Sequence, residues 1–395
     1  MLAEATAHPD YDKPESFLAY AADTAMAEEV RSATGPIITQ GMPRIIFMVG
    51  TGGANLATRA LFEIAAGTDD VLMGRVRGVF LDSPSAEAEA EIDEAVALIQ
   101  TPEECAVVIA SASGATLETR ALSEALIARL EARLGSVSGR IIAVTKAGTS
   151  LWQDAEERGI ARVRMPAGLS DRFSLFAPYA LVFHALAGFD IDEWHAAARD
   201  AAAETLAAPE DALLIADVLL ESARTGAPSI DLFSFDPRLR HFSLWIRQIL
   251  AESLGKSGVS FPLPTASSGT TDLHSVLQMT LSSAAKPYTF FIAAAATGNA
   301  LGHADALDLV PEAAEEKSLA EINAGIRAAA LDAYRMHGLP YGTVTFERMD
   351  QRELMGAMAQ WMIATVAVAR ALGADPFTQP AVEGYKEAAR DALGA

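Results

Sequence analysis

Apolar residues fall along this chain in two alternating patterns. Short continuous runs, such as IIFMVG at 45–50, end in glycine-rich turns, here GTGGAN. Longer stretches with helical spacing follow them, here LATRALFEIAAG. The alternation continues with RGVFLD then AEAEAEIDEAVALIQ, CAVVIAS then TLETRALSEALIARLEARLG, and RIIAVTKA. Strands apolar on both faces, each followed by a helix, predict a parallel sheet covered by helices on both sides. This first α/β unit spans 41–185, behind a helical arm over 1–40 in which FLAYAADTAMAEEV presents an apolar face. A helical connection over 186–224, containing IDEWHAAARDAAAETL, leads to a second unit at 225–375. There the pattern predicts helices in FSLWIRQILAESLGK, DLHSVLQMTLSS, AEINAGIRAAALDAYRMHG and RELMGAMAQWMIATVAVARALG, with strands in YTFFIAAA and GTVTFERM. The segment 376–395 carries a last helix from about Pro380 to Leu393. Two similar α/β units suggest a duplicated fold, without a clear sequence repeat.

Composition narrows the function classes. Of 395 residues, 51% are hydrophobic and 21% charged, which suits a globular protein with a large core. No stretch has the ~18 uninterrupted apolar residues of a membrane span, so no membrane partner is expected. The acidic start MLAEATAHPDYDKPES lacks the basic-then-apolar run of a secretory leader. The single cysteine, Cys105, excludes an intrachain disulfide framework and suggests a reducing compartment, the cytoplasm. A net charge of −22 without a basic stripe argues against nucleic acid as a partner. Histidines at 8, 184, 195, 241, 274, 303 and 337 show no metal-helix spacing and there is no CxxC, so no metal is expected. Any anionic ligand must find local donors.

Six features could carry chemistry. Gly50-Thr51-Gly52-Gly53 after a strand permits a tight turn and close approach to a ligand, or is an ordinary strand-to-helix turn; its spacing is not GxGxxG, so no nicotinamide cofactor is indicated. Ser111-Ala112-Ser113-Gly114-Ala115-Thr116 precedes a helix, so hydroxyls and free amides could hold an anion. The alternative is capping by Ser113 or Thr116, supported by Glu118. Arg172 in GLSDRFSLF would fall in a first helical turn, where a cation opposes the helix dipole by ~0.3–1 kcal/mol. It either has a functional task or is a surface partner of Asp171. Glu252 shares a helix face with Trp245, Gln248 and Ile249, and partial burial would raise its pKa toward that of a working base. The alternative is an exposed pair with Lys256. His274, near a predicted helix start, suits acid/base work as a neutral imidazole or is a capping-region histidine. Lys386 falls within an apolar stripe of Val382, Tyr385, Ala389 and Leu393; its stem snorkels or its ammonium enters a pocket.

Taken together, the segments resemble the phosphoglucose isomerase (glucose-6-phosphate isomerase) family, compact bacterial type, from about residue 45 to 390. GTGGANLATRA is similar to its first glycine motif and SASGATLET to its phosphate loop, shared with other sugar-isomerase (SIS) domains as SxSGxT. LSDRFS resembles GGRFS, LWIRQILAESLGK resembles a helix ending in ESxGK, and GTTDLHSVLQ and DPFTQPAVEGYK resemble two later motifs. The resemblance implies an α/β fold of two SIS domains with parallel sheets flanked by helices, plus a C-terminal helix. It implies interconversion of glucose 6-phosphate and fructose 6-phosphate through a cis-enediolate, with no cofactor. Glu252 would carry the proton between C1 and C2, Arg172 would stabilise the enediolate, and His274 and Lys386 would assist ring opening. Ser111, Ser113, Thr116 and Gln379 would contact the phosphate, beside Gly53. In the family the histidine enters from the neighbouring subunit, which implies a homodimer with shared active sites.

Three positions depart from the family pattern. Ala112 stands where a phosphate-contacting lysine is common, Ala54 where a serine is common, and Asp171 where a glycine is common. They leave two alternatives: an isomerase of another anionic six-carbon sugar, and a non-catalytic sugar-phosphate sensor. Retention of Glu252, His274 and Lys386 together speaks against the sensor.

Overall fold

The computed structural model describes residues 13–68, 76–256, 258–296, 298–300 and 311–393. The start of the arm read over 1–40 lies outside the described residues, as does Gly394–Ala395 of the C-terminal segment. Two 3-10 turns, Pro14–Ser16 and Ala19–Ala22, lead into α1, Thr24–Gln40, whose N-terminus is capped by Asp23. The first unit then runs β1 (Ile45–Val49), α2 (Gly53–Thr68), β2 (Arg77–Leu81), α3 (Ala86–Ala97), β3 (Cys105–Ala110), α4 (Leu117–Leu134), β4 (Ile141–Lys146), α5 (Ser150–Glu157), β5 (Ala161–Met165) and α6 (Pro178–Leu186). Helices α7 (Ile191–Ala207) and α8 (Glu210–Arg224) form the connection. The second unit runs β6 (Ser229–Ser234), α9 (Arg240–Leu254), β7 (Leu263–Ser268), α10 (Val276–Ser282), β8 (Tyr288–Ala294), α11 (Leu319–Met336), β9 (Tyr341–Phe346) and α12 (Gln351–Ala371). Helix α13, Glu383–Leu393, closes the chain.

Both sheets are parallel. The first has the order β2-β1-β3-β4-β5 and the second β7-β6-β8-β9. In the first sheet the chain leaves β1 toward β2 on one side and returns at β3 on the other. The crevice beyond the carboxyl ends of β1 and β3 is therefore a topological switch point, where open α/β sheets bind ligands. The turns after those two strands are GTGGAN and SASGAT. The central strands β1 and β3 are buried at every position, as their continuous apolar runs require.

The alternating pattern leaves three strands unread. β5 (ARVRM) is an edge strand and carries two arginines. β6 (SIDLFS) holds Asp231, whose burial is offset by hydroxyl donors Thr265 and Ser267 at 2.8 and 3.0 Å. β7 (LPTASS) is the other sheet's edge and contains Pro264, a residue that sheets tolerate only at such places. Helix α6 (PYALVFHAL) also escapes the amphipathic template, because it is buried all round and has no polar face.

The helix α9 forms the seam of the molecule. It packs against α2 of the first unit, and against α12, β6 and β7 of the second. Trp245, Ile246, Ile249 and Leu250 are fully buried in that seam. Helix α12 is long and apolar enough to cross a membrane, but most of it packs inside the protein against α7, α8 and α9. In contrast, α13 buries no described side chain; Val382 and Tyr385 of its apolar stripe remain 41% and 66% exposed.

Candidate active site

A cleft of about 590 Å³ opens at the carboxyl end of the first sheet. Its walls are the turn at 51–53, the loop 112–118, Lys146 at the end of β4, the segment 168–172, one face of α9 and the C-terminal segment from Phe377 to Ala389. Six of the expected site residues line it together with Gly53: Ser113, Thr116, Arg172, Glu252, Gln379 and Lys386.

Arg172 organises this cleft. It sits in the 3-10 turn Asp171–Phe173 rather than in the first turn of an α-helix, and is only 2% exposed. Its dipole conflict therefore does not arise, and it is no surface partner of Asp171. A buried guanidinium must have its donors matched. Nε donates to Ser253 Oγ at 3.1 Å, and Nη1 to Glu252 Oε2 at 2.8 Å and Gln379 Oε1 at 3.4 Å. Nη2 donates to the carbonyls of Pro376 and Thr378 at 2.7 and 3.1 Å. Burial pulls its pKa down and the Glu252 carboxylate opposes that.

Glu252 occupies the last turn of α9, at the edge of its buried face. Its carboxylate is not in the apolar setting its helix face suggests. Oε2 accepts from Arg172 and Oε1 from Gln248 Nε2 at 2.7 Å, one turn back. Nor does it form the expected pair with Lys256. That ammonium donates instead to the backbone carbonyl of Glu252, at 2.8 Å, and to the carbonyl of Thr378. Arg172 and Lys256 thus both grip the 376–378 backbone. Phe377 adds ring contacts to Phe173 at 5.2 Å and to Phe17 at 6.5 Å. These ties deliver Gln379 and Lys386 to the cleft from the far end of the chain. Lys386 lines the cleft, and its half-exposed Nζ pairs with Glu383 at 2.8 Å.

The glycine turn serves this arrangement by close packing. A Cβ on Gly53 would stand 2.4 Å from the Asp171 carbonyl carbon and 2.5 Å from the Arg172 nitrogen. Gly52 has φ +59°, and a Cβ there would meet Gln248 Nε2 at 2.7 Å. The close approach is therefore first to the protein's own Arg172 and Gln248, and the turn also lines the cleft.

The hydroxyl loop divides into two layers. Ser113 and Thr116 line the cleft, and Thr116 is the N-cap of α4 without any side-chain capping bond. Its hydroxyl is free of the helix and joins Ser111 Oγ at 3.1 Å and Ser113 Oγ at 3.3 Å. Ser111 lies beneath, 4% exposed, accepting from the Gly114 amide at 3.1 Å. It lines a smaller cavity and not the cleft, and its hydroxyl bonds within the loop. Ala112 lines the cleft with a methyl group, and Ala54 is buried below it.

Asp171 also lines the cleft, with Tyr179 donating to it at 3.1 Å. Burial pushes its pKa up, against the pull of the Tyr179 hydroxyl, Lys146 and Arg172. His274 lies elsewhere: it ends the 3-10 turn Thr271–His274, is exposed, and does not line the cleft of its own chain. Among the described residues no group of three or more His, Cys, Asp or Glu is placed to hold a metal ion. Gln248, Lys146, Lys256 and Phe377 are site residues that the motif reading missed. Gln248 lies one turn before Glu252 on the same face, and Lys146 ends a strand where ligand loops gather; both positions were readable.

No protein-family model matches the chain. A protein of Halobacterium salinarum named "Probable glucose-6-phosphate isomerase" is 30% identical over 294 residues, covering 73% of this chain and 68% of that protein. The chain belongs to the glucose-6-phosphate isomerase family. A Haloquadratum walsbyi protein of the same name is 29% identical over 371 residues, 89% of this chain and 80% of its own. In fold, the crystal structure of a glucose-6-phosphate isomerase from Chlamydia trachomatis superposes with a TM-score of 0.75 at 19% identity, over 100% of this chain and 77% of that one. Membership of the glucose-6-phosphate isomerase family agrees with two parallel α/β units and a ligand cleft at the first switch point.

Proposed function

We propose that this chain interconverts glucose 6-phosphate and fructose 6-phosphate, with Glu252 as the base. The observation that carries the reading is the Arg172–Glu252 pair at 2.8 Å on the wall of a cleft that the hydroxyl-bearing Ser113 and Thr116 also line. The curated relatives bear the same activity in their names.

The chemistry follows from the geometry. Glu252 is oriented by Arg172 and Gln248 and is one-third exposed, so a substrate carbon can approach its carboxylate. It takes the proton from C2 of the open aldose, giving a cis-enediolate, and returns it to C1. The hydroxyl proton moves from O2 to O1 and C2 becomes the carbonyl. Atoms and electrons balance within the sugar, with no external oxidant or reductant. Arg172 supplies a fixed positive charge beside the developing enediolate, and its saturated bonds keep it from reorganising during the reaction. Lys386 lines the same cleft, suited to ring opening. Ser113, Thr116 and the amides at the start of α4 receive the phosphate. His274 would complete the cleft of a second copy in a homodimer, a role supported by its exposure on its own chain. The lone, buried Cys105, with its thiol pushed up to about 11 by burial, suits work in the cytoplasm.

A coupled assay tests this reading: the chain is expected to turn over fructose 6-phosphate, and Glu252→Gln to lower kcat by about 10³-fold while sugar-phosphate binding persists. Turnover of a different anionic sugar, without any of fructose 6-phosphate, would replace the substrate.

A further inference from the structure

Three cations line the cleft: Lys146, Arg172 and Lys386. Arg172 has every donor group engaged within the protein. Lys386 is paired with Glu383. Lys146 is different: among the described residues its ammonium makes no hydrogen bond or ion pair. The same walls carry four carboxylates, those of Glu118, Asp171, Glu252 and Glu383, in a chain of net charge −22. An uncommitted cation offsets the repulsion that a phosphate bearing about −1.5 to −2 charges meets in this setting.

The backbone fixes Lys146 beside the hydroxyl loop. It ends β4, one strand over from the loop that follows β3, and its amide continues the ladder to the Ala112 carbonyl at 3.4 Å. Thr149 ties the turn below it, donating from Oγ1 to the Lys146 carbonyl at 2.9 Å. Ser150 Oγ donates to the Gly114 carbonyl at 3.1 Å. Gly114, at φ +64°, would place a Cβ 2.6 Å from Thr149 Oγ1. The turn bearing Lys146 and the loop bearing Ser113 and Thr116 are thus interlocked and presented together. Ala112, the nearest loop residue to it in the ladder, offers no donor.

We infer that Lys146 is the cation that binds the substrate's phosphate, with Ser113 and Thr116 as its hydroxyl partners. This rests on the sugar-phosphate reading above and assigns the phosphate a charge partner on β4 rather than on the loop. The positive charge of Lys146 also pulls the Asp171 pKa down, against the upward push of burial. One residue thereby screens the acid at 171 from the incoming anion and meets that anion itself.

The test measures inorganic phosphate binding to the full chain by calorimetry, alongside fructose 6-phosphate kinetics. Lys146→Met and Lys146→Gln are expected to weaken phosphate binding and raise KM by about 10- to 100-fold, with kcat little changed. Lys146→Arg, which keeps the charge, is expected to retain binding. Among the described residues the ammonium makes no hydrogen bond or ion pair, so Lys146→Arg should keep the melting temperature, and Lys146→Met and Lys146→Gln should lower it only slightly, through the lost pull on Asp171. Phosphate binding and KM unchanged in Lys146→Met would overturn the inference while leaving the isomerase reading intact. Lys146-dependent phosphate binding in a wild type without fructose 6-phosphate turnover would overturn the isomerase reading and leave this one standing.

Discussion

At the scale of single residues, Arg172 and Glu252 define each other. From its own helix Glu252 could equally be a surface glutamate paired with Lys256, and Arg172 a surface arginine beside Asp171. Their partnership spans 80 positions and no local pattern encodes it. The family motifs placed both residues in one site; only the fold explains why Arg172 is buried and how Glu252 is aimed. The planar guanidinium serves four acceptors besides Ser253, which a lysine cannot match. Arg172→Lys should therefore lower kcat about 100-fold and lower stability by about 2–3 kcal/mol, read by the coupled assay and by urea unfolding. A variant with native stability and native kcat would contradict the organising role given to Arg172. The burial of the Ser111 hydroxyl beneath the loop was not legible either, because spacing cannot tell one side of a loop from the other.

At the scale of elements, legibility followed the unbroken apolar pattern. The strands β1, β3, β4 and β8 read as continuous apolar runs because helices cover both of their faces. Among the four edge strands, β2 and β9 kept apolar patterns that could be read, whereas β5 and β7 escaped because arginines and a proline interrupt theirs, and β6 escaped because it hides an aspartate under two hydroxyls. The turn after β1 was legible as glycine-rich, but its reason was not: the backbone of Asp171–Arg172 lies against Gly53. Gly53→Ala should force that backbone away. We expect a loss of about 1–3 kcal/mol in stability and a fall in kcat from displacement of Arg172. Thermal unfolding and kinetics together check this, and a variant with unchanged kcat would show that Arg172 tolerates the shift.

At the scale of the whole molecule, one chain brings Arg172, Glu252, Gln379 and Lys386 into a cleft but leaves His274 outside it. A homodimer with shared sites makes a sharp prediction. Glu252→Gln and His274→Ala should each be nearly inactive alone. Mixed after reversible dissociation, half of the dimers should be hybrids, each with one intact site, restoring about a quarter of wild-type activity. No recovery would place His274 outside the partner's cleft. The central claim remains that Glu252 carries the proton, and isomerisation of fructose 6-phosphate in deuterium oxide, followed by proton NMR, tests it most directly. The wild type should incorporate solvent deuterium at the transferred position, and Glu252→Gln should suppress both exchange and isomerisation by about 10³-fold. Near-wild-type exchange and turnover in Glu252→Gln would contradict it.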